Sequence, residues 1–459
     1  MEPVKVLILG GGFGGLYAAL AFEKGLARDE DVEVTLVNRE NFHLFTPMLH
    51  EVAASDLDVT HIVNPLRKLL RRVRFVEGTV ESIDLVSRRV RVVHGDEDHP
   101  HDLEFDHLVL ALGSVTNFYG LPGLEERALT MKSLADAIAV RNRMIRHLEQ
   151  ADFECCAPIR RNLLTFVVAG GGFAGVETAA AMHDFLHEAL EFYPHLGPKD
   201  VRVVLAHAGD PILPELSPKL GRYAQKKLAG RGLDVRLMTK VTAVDGRSVE
   251  LNGHERVEAA TIVWTAGTAP HPLLATLPCA LERGRVVVDE TLAVPGWPGV
   301  WALGDCAVVP NKATGKPHPP TAQHAIREGR TLARNVRAAV RGGTPEPFRF
   351  RTLGQLAAIG RRTGVANVFG MNFSGFVAWW LWRSIYLAKL PRFERKCRVM
   401  LDWTLDLVFT KDIVQLSTGN GTRYRFPAER RPDTRERSRE TVPGTVSSFM
   451  ATGASGSGG

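Results

Sequence analysis

Short apolar runs that are each followed by glycines and a small-residue helical pattern occur twice along the chain. Residues 4–9 form a run rich in β-branched side chains, and a glycine cluster and an alanine-rich segment extend it to residue 21. Residues 165–181 repeat the same order. A buried strand, a glycine turn and a helix open a βαβ unit. The pattern therefore predicts an internal duplication of that unit.

Three later apolar runs end in small-residue turns and complete the pattern. Residues 108–113 follow the first unit, residues 262–267 follow the second, and residues 300–305 lie beyond both. A third run in that place is expected if the second unit is inserted within the first domain. The chain is therefore predicted to be an α/β protein with tandem Rossmann-like domains, the second inserted in the first.

The rest of the chain divides by composition. Thr321 is predicted to cap an alanine-rich helix that runs to about Val340 and stops at Gly342. Short strands and turns are expected over residues 345–372, and the segment from about 417 is rich in Arg, Pro, Ser and Gly, which favours disorder. The predicted divisions are residues 1–120 and 276–344 for the first domain, 121–154 for a connecting helical segment, 155–275 for the inserted domain, 345–416 for a C-terminal membrane-associating helical region, and 417–459 for a disordered tail.

Residues 373–409 are predicted to lie on a membrane surface. Trp379, Trp380 and Trp382 stand in an apolar stretch that Arg383 and Lys389 interrupt, whereas a spanning helix needs about 20 apolar residues. Tryptophan suits the interface between lipid and water. Basic residues that attract anionic lipid follow at Arg392, Arg395, Lys396 and Arg398. A homodimer interface or a buried helix that closes the domain would need the same apolar surface.

Composition and charge limit the cofactors, partners and cellular location that can be expected. The chain has 57 basic and 51 acidic residues, and this balance suits a phosphate-rich cofactor or an anionic membrane; no nucleic-acid partner is predicted. The five cysteines are scattered without a CxxC pair, so neither a disulfide framework nor a metal site is predicted. The first residues lack the features of a secretory signal. We therefore expect a peripheral protein on the cytoplasmic face of the cell membrane.

The two glycine clusters are candidate dinucleotide-binding loops. Residues 10–15 read Gly-Gly-Gly-Phe-Gly-Gly and residues 170–175 read Gly-Gly-Gly-Phe-Ala-Gly, each between a predicted strand and a predicted helix. Glycines in this context let backbone N–H groups approach a pyrophosphate at a helix start. Two such loops predict two dinucleotides, FAD and NADH, with NADPH left open.

Together with the Ala-Leu-Gly, Thr-Ala-Gly and Gly-Asp turns at residues 111–113, 265–267 and 304–305, these loops resemble the two-dinucleotide flavoproteins. Within that superfamily the chain resembles the type II NADH:quinone oxidoreductases over residues 4–416. The more specific matches are Leu-Phe-Thr-Pro-Met-Leu-His-Glu-Val-Ala at residues 44–53 and Pro-Pro-Thr-Ala-Gln at residues 319–323. The resemblance implies that the enzyme transfers two electrons from NADH through FAD to a membrane quinone without pumping protons.

The same resemblance assigns the binding residues. It implies that the first loop and the Gly-Asp turn bind FAD, that the second loop binds NADH, and that the helix start at Ala322 lies against the flavin beside the quinone. The expected FAD residues are Gly10, Gly12, Phe13, Gly14, Gly15, Asn38, Arg39, Glu40, Gly113, Asp305, Ala322 and Gln323. The expected NADH residues are Gly170, Gly172, Phe173, Ala174, Gly175, Glu177, His207 and Gly267.

Glu177 and Gln323 are the candidate catalytic residues. The resemblance places Glu177 between nicotinamide, flavin and quinone, and a buried carboxyl there would have a raised pKa. A carboxylate in the first turn also stabilises the helix dipole by about 0.3–1 kcal/mol, which is the structural alternative. Gln323 has the alternative of an ordinary polar residue at a helix start, and Asp305 that of a turn-capping residue.

Several residues depart from the family pattern. Asn38 stands where an acid usually binds the adenosine ribose, with Glu40 as a substitute, and His207 stands where NADH-preferring relatives carry Glu. Arg327, which replaces a second Gln, is expected to touch the quinone, pair with a carboxylate or face solvent. His324 is expected at the surface.

Two other functions stay open from the sequence. Cys306 follows Asp305 and is expected near the flavin, which allows a sulfide:quinone reductase, although that mechanism needs a second cysteine. A redox-sensing flavoprotein that binds NADH with little turnover is the other alternative. The sequence determines neither the quinone nor the oligomeric state, although a homodimer is compatible with it.

Overall fold

A computed structural model of the chain describes residues 2–416. The predicted tail at residues 417–459 lies outside the described residues.

The first domain is built on a parallel sheet of five strands. Their spatial order is Val300–Ala302, His107–Leu110, Val4–Leu9, Val32–Asn38 and Arg74–Glu77. Aliphatic side chains fill both faces of these strands, as expected for a parallel sheet covered on both sides. The strand Val300–Ala302 pairs with His107–Leu110 although about 190 residues separate them. This pairing confirms that the second unit is inserted in the first domain.

The second domain repeats the parallel sheet. Its strands lie in the order Leu129–Thr130, Thr261–Trp264, Thr165–Ala169, Arg202–Ala206 and Asp234–Arg236. The edge strand Leu129–Thr130 lies before residue 155, where the sequence predicts that the inserted domain starts. The chain leaves and re-enters the first domain through an antiparallel pair in which Thr116 lies opposite Thr268.

Small antiparallel sheets extend both domains. Each domain carries a three-stranded meander inserted between two strands of its parallel sheet, and a third such sheet precedes the C-terminal helices. These sheets comprise Thr79–Asp84, Arg89–His94 and His99–Glu104; Val241–Val244, Ser248–Leu251 and Glu255–Glu258; and Gly354–Ala358, Gly364–Val368 and Met371–Gly375. The remaining strands are Phe42–Leu44 with Val63–Pro65, Ser114–Thr116 with Thr268–Pro270, and Leu281–Glu282 with Arg285–Val287 and Ala307–Val308.

Helices cover the sheets and form the C-terminal region. The α-helices are Phe13–Lys24, Leu49–Ala53, Leu66–Leu69, Leu124–Arg127, Leu134–Phe153, Ala157–Leu163, Phe173–Ala189, Pro218–Gly230, Ala322–Val340, Phe376–Lys389 and Phe393–Leu405. The short 3-10 helices are Leu26–Arg28, Thr46–Met48, Leu190–Phe192, Pro272–Thr276 and Gly304–Cys306. Ala322–Val340 begins after Thr321 and ends before Gly342, as predicted.

Three hydrophobic cores hold these elements. One lies within the first domain, a smaller one lies within the second domain, and the third joins the second domain to the helix Leu49–Ala53 and to the C-terminal helices. Trp382 and Val399 are fully buried in that shared core. The prediction that Trp382 lies at the membrane is therefore wrong, because its helix turns this side chain inward. Among residues 2–416, no helix is both long and apolar enough to cross a membrane.

Candidate active site

A wide cleft of about 590 Å3 lies where both glycine helices begin. Its walls include the Gly304–Cys306 turn, the start of Ala322–Val340, the strand Gly354–Ala358 and the helix Phe376–Lys389. Ligands of doubly wound folds bind at the carboxyl ends of the strands. Ten of the twenty predicted site residues line this cleft.

The glycines of the first loop have three different structural roles. Gly10 has a φ of +105°, and a Cβ there would lie 2.3 Å from the oxygen of Ala111. A Cβ on Gly15 would lie 1.8 Å from the oxygen of Gly10, so this residue lets the helix pack on the strand. A Cβ on Gly12 would meet nothing within 4 Å. The loop therefore leaves open space at the helix start, which would fit a pyrophosphate.

The second loop repeats this geometry. Gly170 has a φ of +117°, and a Cβ on Gly175 would lie 1.8 Å from the oxygen of Gly170. A Cβ on Gly172 would meet only the Glu215 carboxylate, at 3.4 Å. Both loops therefore fit the phosphates of a dinucleotide, since protein atoms crowd the outer glycines and leave the middle glycine open.

Asn38 and His207 occupy equivalent positions in the two domains. The amide N–H of Gly11 donates to Oδ1 of Asn38 at 2.7 Å, and the amide N–H of Gly171 donates to Nδ1 of His207 at 3.1 Å. Nδ1 of His207 is therefore the unprotonated ring nitrogen, and burial lowers the pKa of this side chain. Asn38 thus holds the first glycine loop against the end of the strand Val32–Asn38. His207 holds the second loop against the end of the strand Arg202–Ala206 in the same way.

Neighbouring residues complete the rim of the first loop. Nδ2 of Asn38 donates to the backbone oxygen of Glu40 at 2.7 Å, so Asn38 organises this turn as well as the loop. Arg39 and Glu40 are exposed and lie 3.4 Å from each other, between Nε and Oε1. Gly113 lines the cleft and has a φ of +69°. Gly267 lies next to Tyr119, whose ring a Cβ would meet at 2.6 Å.

Asp305 lies on the cleft wall within a hydrogen-bonded chain. The Ser114 hydroxyl donates to Oδ2 of Asp305 at 2.8 Å, and the Lys132 ammonium donates to the Ser114 oxygen at 2.9 Å. Burial lowers the pKa of Lys132. Asp305 keeps free acceptor capacity toward the cleft, which suits hydroxyl donors of a bound ligand.

Gln323 and Arg327 bond to nearby protein groups. Nε2 of Gln323 donates to the oxygen of Gly354 at 3.2 Å, and Oε1 accepts the N–H of Leu353 at 3.3 Å. Gln323 thus connects the helix start to the strand while still lining the cleft. Arg327 donates to the Gln323 backbone oxygen and stacks over Phe350, with Cζ 4.1 Å from the ring centroid.

His324 corrects the prediction of a surface residue. Its side chain is buried, Nδ1 lies 2.7 Å from the Thr321 hydroxyl, and its ring packs edge-on against Phe350. The helix face that carries it is covered by the chain between residues 344 and 353, which the periodicity of the helix alone does not reveal.

Glu177 is a buried acid on the wall of the cleft. The backbone N–H of Ala358 and the indole N–H of Trp382 both donate to Oε1, at 3.1 and 3.0 Å. Burial raises the pKa of Glu177 to about 8 despite these donors. The carboxyl is therefore mostly protonated at neutral pH, and the two donors on Oε1 leave Oε2 to carry the proton.

A second buried acid lies behind Glu177. Glu51 accepts the indole N–H of Trp403 at 3.0 Å, and burial raises its pKa to about 8. His50 lies 3.8 Å from Oε2 of Glu177 through Nδ1, but burial lowers the pKa of His50 to about 3, so the contact is not an ion pair. A small cavity of about 70 Å3 adjoins these residues, and both Glu177 and His50 border this cavity and the cleft.

Cys306 is turned away from the cleft. Its buried thiol donates to the oxygens of Leu110 and Leu303 at 3.2 and 3.1 Å, and burial raises its pKa to about 11. A thiol held protonated in the domain core is a poor nucleophile. The burial of the thiol contradicts a redox role for Cys306 at the cleft.

Sequence reasoning missed several residues that shape the site. Lys132 joins Asp305 through Ser114, and Glu328 accepts the N–H of Gly304 at 2.8 Å with a pKa that burial raises to about 7. Glu51 belongs to the motif at residues 44–53, so the sequence indicated that this segment matters but not that Glu51 is buried. Trp382 and Trp403 meet their acids only through the tertiary fold.

Comparison with protein families finds two matches. The pyridine nucleotide-disulphide oxidoreductase family matches residues 4–329, and the NDH2 C-terminal domain matches residues 353–412.

Individual proteins agree with these families. The chain is 33% identical over 423 residues to a type II NADH:quinone oxidoreductase of Mycobacterium tuberculosis, with 89% of each chain covered. It is 32% identical to a probable NADH dehydrogenase of Dictyostelium discoideum, with 90% of this chain and 91% of the relative covered. The structure of NDH2 from Plasmodium falciparum in complex with NADH superposes with a TM-score of 0.84, at 20% identity, over 90% of this chain and 100% of that one. This last likeness establishes the fold.

Proposed function

Since the chain belongs to the type II NADH:quinone oxidoreductase family, we propose that it transfers two electrons from NADH through FAD to a membrane quinone without pumping protons. The observation that carries the proposal is that the helices after both glycine loops begin at one cleft, beside the buried acid Glu177. When bound there, a flavin accepts a hydride equivalent from NADH and returns two electrons to a quinone.

The chain's own groups bind and orient the two dinucleotides. The open space at Gly12 and Gly172 admits the two pyrophosphates, and the free N–H groups of each helix start donate to them. Asp305 accepts hydrogen bonds from hydroxyls of the first dinucleotide. The helix start at Ala322 offers further donors to the flavin ring. Phe13 and Phe173, at the two helix starts, provide apolar surface to the cleft.

Glu177 supplies a proton to the quinone. The hydride brings one proton, whereas a quinol carries two, so one proton must come from the protein or the solvent. A carboxyl with a pKa of about 8 holds that proton at neutral pH and releases it to an oxygen that gains electron density. We place the quinone headgroup between Glu177, Gln323 and Tyr386, which all line the cleft.

The proposed coenzyme preference rests on the residues that follow the strand Arg202–Ala206 of the second domain. His207 offers no carboxylate to the ribose hydroxyls of NADH. Arg236, at the end of the neighbouring strand, is already paired with Asp234 and Glu255 and so is not free to hold a 2′-phosphate. NADH is therefore the proposed coenzyme, with modest discrimination against NADPH.

We also propose that the C-terminal helices hold the protein on the cytoplasmic face of the membrane. Their outer faces expose large apolar side chains, which are Phe376, Val377, Trp380, Phe393, Met400, Leu401, Leu405, Leu407, Val408 and Phe409. Lys396 and Arg398 lie on the second helix beside this surface. An exposed apolar face next to cations suits an anionic lipid surface, and a homodimer is the competing occupant.

An anaerobic titration tests the proposed activity. The purified flavoprotein is reduced with NADH, NADPH or sulfide, and a short-chain quinone is then added while the flavin absorbance is followed. We expect bleaching by NADH, slower bleaching by NADPH, none by sulfide, and full recovery with quinone. Bleaching by sulfide would indicate a sulfide:quinone reductase. A reduced flavin that recovers very slowly with quinone would indicate a redox sensor.

A further inference from the structure

The antiparallel meander of the first domain carries three histidines at one end. His94 ends the strand Arg89–His94, and His99 and His101 lie on the next strand, His99–Glu104. His94 is opposite His99 and Val92 is opposite His101 in the register of this pair. Because alternate and directly opposite residues share a face of a sheet, all three imidazoles lie on the face that carries Val90 and Val92.

The ring nitrogens of the three histidines converge on one point. Nε2 of His94 lies 2.8 Å from Nε2 of His101, and Nδ1 of His99 lies 3.2 Å from the same atom. One ligand atom from each residue fits within 4.8 Å of the others. Tetrahedral zinc with Zn–N bonds of about 2.0–2.1 Å requires donors about 3.3–3.4 Å apart. The spacing is already close to that of a metal site.

The charged side chains of the two strands lie on the opposite face of the sheet from the three histidines. Arg91 is bound by Asp102 on the opposite face, with Nε 2.9 Å from Oδ1, and Arg89 and Lys5 both contact Glu104. No salt bridge with the three histidines occurs among the described residues. The turn between the strands contributes the acids Asp96, Glu97 and Asp98, which favour the approach of a cation.

The second domain shows that the fold does not require this cluster. Its equivalent hairpin joins Ser248–Leu251 to Glu255–Glu258 through Asn252, Gly253 and His254. That hairpin has a single histidine, whose Nδ1 contacts the backbone oxygen of Asn252 at 2.9 Å. The same architecture thus forms with one imidazole, so the three imidazoles of the first domain need a reason other than folding.

We propose that His94, His99 and His101 form a surface binding site for a divalent transition metal, with Zn2+ as the fitting ion. Imidazole nitrogen is a preferred ligand of Zn2+, and three protein ligands leave the fourth tetrahedral position to water. Although the cysteines predict no metal site, the histidines provide one through strand pairing that the sequence spacing conceals. None of the three residues lines the cleft, so the ion is not part of the electron path.

Zinc titration of the full-length flavoprotein tests the site. The protein is prepared without a histidine tag, treated with chelator, and titrated with Zn2+ by calorimetry. We compare the native protein with His101→Ala, which removes the nitrogen that both other rings approach, and with His254→Ala on the equivalent hairpin. All three histidines of the cluster are exposed, so both variants should keep their flavin content.

The expected result is one zinc per chain in the native protein and in His254→Ala. His101→Ala should bind more than about 100-fold more weakly, since the loss of even an outer-shell partner costs about 10–100-fold. Cu2+ provides a second readout, because its electron paramagnetic resonance spectrum should show nitrogen couplings in the native protein that His101→Ala reduces. Equal zinc binding by the native protein and His101→Ala, or no saturable binding by the native protein, would overturn the proposal.

Discussion

A carboxyl and an indole meet twice in this protein, at Glu177 with Trp382 and at Glu51 with Trp403. Each indole is a donor without a charge, so it satisfies one carboxyl oxygen while leaving the acid in a low-dielectric environment. An arginine or lysine in the same place would have kept the carboxyl ionised. Burial therefore outweighs the indole hydrogen bonds, which by themselves lower the pKa, and raises the pKa of both acids to about 8.

Substitution of Glu177 by glutamine tests the proton supply. The amide side chain of Glu177→Gln retains an acceptor for Ala358 and Trp382 but has no acidic proton to release, so quinone reduction should fall about 100-fold, at the lower end of the usual contribution of a general acid. Flavin content and the anaerobic rate of flavin reduction by NADH should stay unchanged. Rapid-mixing absorbance measurements separate these two half-reactions. Glu191→Gln, at an exposed acid just beyond the same helix, is the control; an equal loss in both half-reactions would refute the role of Glu177.

The same acid predicts a pH dependence of stability. The pKa of Glu177 is about 8 in the folded protein and near its usual 4.5 in the unfolded chain. Between these values the unfolded chain binds fewer protons than the folded protein, so the free energy of unfolding falls as the pH rises from about 4.5 to 8. Glu177→Gln should reduce this slope in melting temperatures recorded from pH 5 to 9. Part of it should persist, because the raised pKa of Glu51 acts in the same direction. An unchanged slope would contradict the burial of the charge.

Residue types alone indicated only part of this arrangement. Glu177 could be singled out because it follows a recognisable glycine loop, although the helix begins at Phe173 and places Glu177 beyond the first turn, which contradicts the expected helix-dipole role. Glu51 and its indole partner are 352 positions apart in the chain, and Glu177 and Trp382 are 205 apart. No local pattern links residues at such separations, so their pairing required the structure.

At the scale of elements, the glycine loops show how one sequence signature serves both folding and binding. Gly10 and Gly15 relieve contacts within the protein, whereas Gly12 leaves space for a ligand. The same division holds for Gly170, Gly175 and Gly172. Alanine substitutions should therefore separate the two effects.

Gly12→Ala should fold and lose flavin, because its methyl group meets no protein atom and occupies the space of the pyrophosphate. Gly15→Ala should fail to accumulate as soluble protein, since its Cβ would lie 1.8 Å from the oxygen of Gly10. Gly172→Ala should keep the flavin and lose its reduction by NADH. Soluble yield, the ratio of flavin to protein absorbance, and bleaching by NADH measure these outcomes. A flavin-free Gly172→Ala with normal flavin in Gly12→Ala would reverse the assignment of the two domains.

The C-terminal helices are apolar on two faces for two reasons. Trp382, Val399 and Trp403 face the shared core, whereas Trp380 and Phe409 face outward. The sequence reveals an apolar stretch but does not sort its residues between faces, because aromatic side chains suit both environments. Removal of the whole segment would also remove the indole donors of Glu177 and Glu51, so surface substitutions are the cleaner test.

Trp380→Ser combined with Phe409→Ser should release the protein from vesicles of anionic phospholipid. Trp380 is 56% exposed and Phe409 is 65% exposed, so the substitutions remove apolar contact area without opening the core. Sedimentation with vesicles at low salt is the measurement, and NADH oxidation with a water-soluble quinone should be unchanged. Phe153→Ser, at a 95% exposed residue on another helix, is the control. If the double variant still sediments but changes from dimer to monomer, the surface is a dimer interface.

Across the described chain, the alternation of apolar runs, glycines and helices was enough to predict the tandem domains and the insertion. The same pattern did not predict the small antiparallel sheets in detail, because their strands are short and half-exposed and their hydrophobic alternation is weak. The shared core was also hidden, since the helix Leu49–Ala53 and the C-terminal helices contact the second domain through long-range packing. Local sequence patterns therefore predict the individual domains, whereas the packing of one domain or helix against another depends on contacts between residues far apart in the chain.

The insertion also determines the order in which the two parallel sheets can be completed during translation. All strands of the second parallel sheet lie between residues 129 and 264, whereas the first sheet gains its fifth strand only at Val300–Ala302. Asp305 and the helix start at Ala322, which wall the cleft, emerge later still. The parallel sheet that begins second therefore has all its strands first, whereas the site around the first glycine loop is still incomplete at that stage. We expect ribosome-bound chains stopped within residues 270–300 to retain no FAD and chains with residue 340 outside the ribosome to retain it, as flavin fluorescence of the isolated complexes would show. In the cell, flavin would then be a late ligand of the nascent chain, and shortage of flavin would leave a full-length protein with one finished domain and one unfinished.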